Sequence, residues 1–206
     1  MSIDLKQISI DYISYSDSDI WGSTKSIKAK EINHIYAPSG IGKTSFLKIL
    51  YQGERSYSGS VLIDGRDLND IDTSELRTKH FSIVFQDLKL ISGLTGLDNV
   101  MLRADLFSIS KEEVITFFER LSINQLLNKR CNVMSRGELQ RVAIIRSLIG
   151  DFDYLLLDEP FSHLDKTSRQ LCITLIQERQ EIKGFSIILC NVEQDDFFPY
   201  NHQLVL

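Results

Sequence analysis

Residues 37–45, with the sequence APSGIGKTS, have the residue types needed to bind the phosphates of a nucleotide. Glycines at positions 40 and 42 let backbone N–H groups curl around phosphate oxygens, and a helix that follows presents its positive end. Lys43 can reach the β- and γ-phosphates, and the Thr44 hydroxyl can ligate Mg²⁺. An ordinary strand–turn–helix connection is the alternative, which a Gly-Lys-Thr run between a predicted strand and a predicted helix disfavours. The predicted nucleotide-binding residues are Ser39, Gly40, Ile41, Gly42, Lys43, Thr44 and Ser45.

This loop departs from the phosphate-binding pattern G-x-x-x-x-G-K-[ST], because Ala37 stands where the first glycine is usual. Pro38 disfavours the α region for the residue before it and favours an extended backbone. An extended residue has a negative φ, which alanine adopts without strain, whereas glycine is needed only for positive φ or very close approach. We therefore expect the loop to be functional.

A second group of candidate residues lies in YLLLDEP, residues 154–160. An apolar strand here delivers Asp158 and Glu159 to the carboxyl end of a sheet, where open α/β folds bind ligands. Asp158 suits Mg²⁺ or its water shell, and Glu159 suits polarisation of an attacking water. A strand that happens to end in acidic turn residues is the alternative, and the neighbouring phosphate loop makes it the weaker one.

A third candidate segment is MSRGELQR, residues 134–141. Ser135 and Glu138 form the S-x-x-E pattern of a capping box, which predicts that a helix begins here. Capping boxes are frequent and can be purely structural. The functional alternative is that Ser135 and the backbone N–H groups near Gly137 form a second phosphate-facing helix end.

The hydrophobic pattern predicts the elements that position these residues. Strands are predicted within residues 3–14, 31–37, 59–68, 82–87, 154–157 and 186–190. Helices are predicted within residues 43–53, 94–107, 111–123, 135–150 and 167–182, and a polar turn is predicted over residues 14–26. Strands that alternate with helices on both sides of a helical block predict an α/β fold with a mostly parallel sheet and a helical insertion.

Composition limits the class of protein. The chain has 206 residues with 43% hydrophobic and 25% charged residues, and its formal net charge of −5 argues against a nucleic-acid partner. The scattered Cys131, Cys172 and Cys190 predict neither a disulfide framework nor a zinc site, and favour a reducing cytoplasm. Neither a signal peptide nor an apolar run long enough to cross a bilayer is evident. A role at a membrane would therefore require docking on a separate membrane protein.

Taken in order, the motifs resemble those of the ATP-binding cassette (ABC) ATPases over essentially the whole chain. APSGIGKT corresponds to the Walker A motif, FQD to the Q-loop, MSRGELQR to the signature, YLLLDEP to Walker B, and SHLD to the D-loop. The resemblance implies one domain with a P-loop NTPase core, N-terminal antiparallel strands and a helical subdomain. It implies boundaries of about 1–87 and 140–206 for the core and 88–139 for the helical subdomain.

The resemblance also implies partners and further site residues. Two cassettes, alike or unlike, would pair head to tail, so that ATP with Mg²⁺ lies between one Walker A and the other signature. Gln86 would contact Mg²⁺ or the attacking water and sense the transporter, although it can also be a solvated residue at a strand end. Tyr12 would stack on adenine or simply pack, and Asp165 would lie at the dimer seam or cap a helix. A separate transmembrane permease would hold the protein on the inner face of the membrane.

Two segments depart from the family pattern, the signature and the residue that follows the last predicted strand. Arg136 and Glu138 replace a glycine and a glutamine of the signature, while Met134 keeps an apolar residue. Val192 stands where the family has a switch histidine, and valine cannot hydrogen-bond to a phosphate or water. We expect a slow, exporter-like transport ATPase; the alternative is an ATP-gated regulatory clamp that scarcely hydrolyses ATP. A small P-loop kinase is disfavoured because it leaves SRGELQR unexplained. His163 could replace the missing switch histidine, but an exposed residue that merely precedes a helix is the favoured interpretation.

Overall fold

A computed structural model describes residues 2–13, 18–192 and 198–206. The strands are β1 (Ser2–Ser9), β2 (Thr24–Lys28), β3 (Ile32–Tyr36), β4 (Ser58–Ile63), β5 (Arg66–Asp67), β6 (Phe81–Val84), β7 (Tyr154–Asp158), β8 (Ser186–Asn191) and β9 (His202–Val205). The helices are α1 (Lys43–Leu50), α2 (Thr73–Glu75), α3 (Gly96–Ala104), α4 (Lys111–Arg120), α5 (Arg136–Ser147) and α6 (Lys166–Lys183).

A parallel sheet forms the centre of the predicted core. Its strand order is β6-β7-β8-β3-β9, and β8 pairs in parallel with both β7 and β3. Strands β7 and β8 are almost continuously apolar because both of their faces are buried, as is typical of parallel sheets. The non-consecutive order brings the carboxyl ends of β3, β7 and β8 to one edge, where the phosphate loop and the Asp158–Glu159 pair are expected.

A second, antiparallel sheet has the order β2-β1-β4-β5. β4 and β5 form a hairpin in which Ile63 pairs with Arg66. The connecting residues Asp64 and Gly65 have φ angles of 49° and 81°, so both lie in the left-handed region that such a two-residue turn requires. The two sheets and the helices confirm the predicted fold class.

Contacts divide the chain into two units. The first comprises Met1–Ile83, Phe152–Glu159 and Phe185–Leu206, and the second comprises Val84–Asp151 and Pro160–Gly184. The first unit therefore contains both sheets and α1, and the second contains α3 to α6. The predicted boundaries at residues 88 and 139 stay a prediction. Within the described residues, no helix has the length and hydrophobicity needed to cross a bilayer.

The predicted helices and six of the strands are found where predicted, although β1 ends at Ser9 and not near residue 14. The single strand predicted within residues 59–68 is wrong, because β4 and β5 are separate strands of a hairpin. The predicted turn over residues 14–26 is wrong at its end, because β2 begins at Thr24, and β9 was not predicted. Residues 14–17 of that turn and the stretch that follows Val192, residues 193–197, lie outside the described residues. β2 is missed because it pairs only with β1 and has one buried side chain, Ile27, so its sequence resembles a polar loop.

Candidate functional site

The phosphate loop connects β3 to α1, as predicted. Gly40 and Gly42 have φ angles of +88° and +92°, which glycine adopts without the penalty that a side chain brings. Ala37 is buried and its φ is not positive, so alanine needs no strained backbone at this position, as predicted. Gly42 is the N-cap of α1 and no side chain caps the helix, so the first backbone N–H groups of α1 are not used by a capping side chain.

Lys43 lies at the beginning of α1 with its ammonium folded into the loop. Its Nζ donates hydrogen bonds of 2.8 Å and 3.0 Å to the carbonyl oxygens of Ala37 and Pro38. The same atom lies 3.5 Å from a carboxylate oxygen of Glu159, and the side chain is 5% exposed. The cation is therefore held by weak carbonyl acceptors and one carboxylate, in the position where a nucleotide phosphate would offer stronger acceptors.

Thr44 and Asp158, two of the three predicted Mg²⁺ ligands, are in contact. The Thr44 hydroxyl donates a 2.7 Å hydrogen bond to Oδ2 of Asp158, which ends the buried strand β7. Glu159 follows with a φ of 48°, a left-handed conformation that costs a residue other than glycine about 1–3 kcal/mol. Its backbone N–H donates to the carbonyl oxygen of Cys190 at the end of β8. The ends of β7 and β8 thus fix the direction in which Glu159 leaves the sheet.

Tyr12 lies in a turn after β1 and not on the strand itself. The residue is 67% exposed, so packing in the core does not explain it. Its hydroxyl lies 3.4 Å from the Ser45 hydroxyl in the first turn of α1. An exposed aromatic ring beside the phosphate loop is available for stacking, and its contact with adenine stays a prediction.

Val192 directly follows β8 and is half-buried. The preceding Asn191 accepts a hydrogen bond of 3.2 Å at its carbonyl oxygen from the N–H of Ala37. The chain at Val192 is therefore tied to the start of the phosphate loop, although a valine side chain offers no hydrogen bond there.

The signature segment lies in the second unit, where the capping box is confirmed. Ser135 accepts from the Glu138 N–H at 3.3 Å, and Glu138 accepts from the Ser135 N–H at 2.7 Å. Lys129 donates to both carboxylate oxygens of Glu138 at 2.8 Å and 2.9 Å. The hydrogen bond from Lys129 is the main cause that lowers the pKa of Glu138. Glu138 is thus held by the helix end and by Lys129, while Arg136 is exposed.

Gly137 allows a close approach of the D-loop segment. A Cβ at this position would lie 2.8 Å from the carbonyl oxygen of His163, so no larger residue fits without a backbone shift. Gln140, one turn further along α5, accepts from the His163 N–H at 3.1 Å. His163 is exposed and precedes α6, which is the structural role that the sequence favoured over a role in hydrolysis. Asp165 caps α6 by accepting from the Ser168 N–H, which confirms the structural alternative for this residue.

Gln86 is exposed and lies two residues after the end of β6. The loop after it contains two consecutive residues in the left-handed region, Leu88 with φ 60° and Lys89 with φ 47°. Arg146 near the end of α5 donates hydrogen bonds of 2.7 Å to both of their carbonyl oxygens. A planar guanidinium can satisfy two carbonyls at once, so Arg146 fixes this unusual backbone.

Three residues that support these motifs were not predicted: Trp21, Lys129 and Arg146. Trp21 is buried and donates from its indole Nε1 to the Ile41 carbonyl oxygen of the phosphate loop at 3.2 Å. Two of the three bind backbone carbonyls, which every residue carries, so the sequence has no signal for them. Lys129 and Glu138 are nine positions apart, a spacing that belongs to no regular element.

Comparison with known proteins identifies the family. The sequence model of the ABC transporter family matches residues 22–162, which hold the phosphate loop, the signature segment and the acidic pair. The chain belongs to this family. Members of the ABC family are ATPases, and the predicted activity is therefore confirmed at the level of the family.

Relatives of this ABC ATPase include both importer components and a cell-division protein. It is 32% identical over 183 residues to the phosphonates import ATP-binding protein PhnC of Lactiplantibacillus plantarum, with 82% of this chain and 71% of that protein covered. It is 30% identical over 175 residues to the cell division ATP-binding protein FtsE of Bacillus subtilis, with 82% and 76% covered.

Solved structures share the fold of this ABC ATPase. A dimeric structure of MJ0796, a bacterial ABC transporter cassette, superposes with a TM-score of 0.77 at 27% identity and covers 91% of this chain and 87% of that chain. A bacterial Atm1-family ABC exporter with ATP bound gives a TM-score of 0.84 at 24% identity. This chain is covered completely in that comparison but spans 36% of the exporter chain, and the likeness concerns the fold alone.

Proposed function

We propose that this protein is the ATP-hydrolysing subunit of a membrane ABC transporter, with MgATP bound at the phosphate loop. One observation carries the proposal: Lys43 and Thr44 of the loop contact Glu159 and Asp158 at the carboxyl end of β7. Phosphoryl transfer depends mostly on positioning and charge stabilisation, which these four side chains are suited to supply.

The donor atoms at Thr44 and Asp158 fit Mg²⁺. A hydroxyl and a carboxylate oxygen within 2.7 Å of one another are hard oxygen ligands, which this ion prefers. Among the described residues there is no group of three histidine, cysteine or acidic side chains that could hold a metal alone. Mg²⁺ would therefore complete its coordination with phosphate oxygens and water, and when bound it would neutralise charge on the phosphates.

The roles of the remaining residues follow from chemistry at the same sheet edge. Lys43 would move from the Ala37 and Pro38 carbonyls to the β- and γ-phosphates, because charged acceptors bind an ammonium more strongly than carbonyls do. Glu159 would accept a proton from the attacking water or orient it. Gln86 would contact the ion or that water, and Tyr12 would stack on the base.

A second cassette and a permease complete the proposed assembly. Dimeric MJ0796 and the import proteins among the relatives support both partners. Ser135 and Gly137 of one subunit would face the ATP bound by the other, and residues 88–139 would form the helical subdomain that grips the permease. Either two identical or two different cassettes satisfy this scheme. The protein would then lie on the cytoplasmic face of the membrane, held there by the permease.

We further propose slow turnover. An exporter-like partner stays a prediction from the sequence resemblance alone, since the relatives named above include an import protein. Val192 provides no hydrogen bond for the γ-phosphate or the water, although the chain there is tied to the phosphate loop through Asn191. Loss of a positioned acid–base or orienting group costs about 10²–10⁴-fold in rate. Arg136 adds bulk to the signature turn. The Glu138 carboxylate accepts hydrogen bonds from Lys129 and from the Ser135 N–H, so it is held at the helix end by these two partners.

Phosphate release by the purified protein, alone and with its permease, tests the proposal. Wild type should release phosphate slowly but above the Glu159→Gln variant, and EDTA should abolish the difference because the ion is removed. Equal release by both proteins, together with ATP-dependent dimerisation, would instead support the regulatory clamp, which Val192 and Arg136 favour. Failure of the wild type to bind MgADP at all would contradict both functions.

A further inference from the structure

Trp21 lies directly behind the phosphate loop. Its indole Nε1–H donates a 3.2 Å hydrogen bond to the carbonyl oxygen of Ile41, and its ring is 2% exposed. A Cβ added to Gly42 would lie 3.0 Å from the Trp21 ring and 2.4 Å from the Ile13 side chain. The backbone at Gly42 therefore rests on a surface made by Trp21 and Ile13, with no room for a side chain between them.

Neighbouring contacts hold Trp21 in this place. Its backbone N–H donates to the Ser18 hydroxyl at 2.8 Å, which fixes the backbone between residues 18 and 21. Its ring meets the ring of Phe46 edge to face, with centroids 6.3 Å apart, and Phe46 is fully buried on α1. Trp21 thus contacts both the loop and the helix that follows it.

The hydrogen bond to Ile41 has a consequence for the next N–H group. The Ile41–Gly42 peptide is not cis, and in a planar trans peptide the C=O and the N–H point in opposite directions. Fixing the Ile41 carbonyl against the buried indole therefore directs the Gly42 N–H away from it. Backbone N–H groups of such loops bind phosphate more tightly when they are already held in the binding arrangement, because less ordering is needed on binding.

We infer that Trp21 is a positioning residue for nucleotide binding, which holds the Ile41–Gly42 peptide in the orientation that binds phosphate. This inference rests on the proposed ATP site. Trp21 acts through the loop and does not touch the nucleotide. Its contribution is preorganisation, so its loss should weaken nucleotide affinity more than it lowers the rate at saturating ATP.

The experiment replaces only the indole N–H. Trp21 is the single tryptophan of the chain, so residue-specific incorporation of benzothienylalanine changes this position alone. That side chain keeps the indole shape and has sulfur in place of the N–H. Loss of one hydrogen bond should weaken MgADP binding about threefold to tenfold in calorimetry. KM for ATP should rise similarly while kcat stays within about twofold, and Trp21→Phe should show the same direction.

A matched control separates loop positioning from general stability. The side-chain amide of buried Gln52 donates to the Ile71 carbonyl oxygen at 2.9 Å in the same unit, outside the motifs of the site. Gln52→Met should lower the melting temperature and leave MgADP affinity unchanged. In the wild type, Trp21 fluorescence should change as MgADP is titrated. If the wild type binds MgADP and the benzothienylalanine protein binds it equally well, the inference is overturned. If the wild type does not bind MgADP, the proposed function fails instead.

Discussion

Lys43 and Glu159 form an ion pair with 3.5 Å between the ammonium and a carboxylate oxygen. The pair joins the first helical residue after the phosphate loop to the acidic residue after β7. Lys43 also donates to the Ala37 and Pro38 carbonyls, so its ammonium has three partners within the protein. On the proposed function, nucleotide binding would exchange these partners for phosphate oxygens.

Glu159→Gln should bind MgADP more tightly than the wild type, by about threefold to tenfold, the range expected for a modest ion pair. The substitution removes a competing partner of Lys43 and a negative charge beside the phosphates. Calorimetric titration with MgADP measures the change. Glu31→Gln provides the matched control, because the Glu31 carboxylate lies 3.2 Å from Nε2 of His202 and not beside Lys43, so its loss should leave affinity unchanged. Weaker binding by Glu159→Gln would contradict the exchange.

Val192→His should accelerate phosphate release by about tenfold or more, toward the range of a positioned acid–base group. The new imidazole would follow β8 at a point tied to the phosphate loop through Asn191. Steady-state phosphate release at saturating MgATP gives the comparison. Val205→His places the same substitution on β9, at a valine that is 46% exposed, and should not change the rate. A wild-type rate already equal to that of Val192→His would show that valine does not limit turnover.

Arg146→Lys should loosen the loop after Gln86. A lysine cannot bind the Leu88 and Lys89 carbonyls with one planar fork, and both residues have left-handed backbones that cost energy when unsupported. Amide hydrogen exchange should become faster over residues 87–90, and the free energy of unfolding should fall by about 1–2 kcal/mol. Arg141→Lys on the same helix is the control. Unchanged exchange in the Arg146 variant would mean that the loop holds its conformation without the clamp.

Glu138 should make the start of α5 sensitive to acid. Lys129 lowers the pKa of Glu138, so the ionised carboxylate stabilises the fold above its unfolded-state pKa of about 4.3. This contribution is lost as the pH falls through the lower folded-state pKa. Urea unfolding of the wild type and Glu138→Gln should therefore differ at neutral pH and converge in acid. In Lys129→Met, an NMR titration should show a higher pKa for Glu138; an unchanged pKa would assign the shift to the helix cap alone.

A contact in the fold or the site can be predicted from the sequence when the two residues that form it lie close together along the chain. The capping box of Ser135 and Glu138 and the loop of residues 37–45 are contiguous, and their chemistry follows from local spacing. Trp21 acts on Ile41, and Arg146 acts on Leu88, which is 58 positions away. Their acceptors are carbonyl oxygens that every residue carries, so no residue type marks the contact. Strand β2 was missed for a similar reason, because only pairing with β1 makes its polar sequence a strand.

Burial of all three cysteines has a practical consequence for spectroscopy of this ATPase. Cys131, Cys172 and Cys190 are free and buried, and burial raises the pKa of each thiol, to about 12 for Cys172. Buried thiols with little thiolate react slowly with maleimides. A single cysteine introduced at an exposed position such as Ser162 would therefore be labelled selectively in the folded chain, without prior removal of native cysteines. Pairs of such labels would test the proposed ATP-driven association as a change in distance, because the native thiols would carry no label.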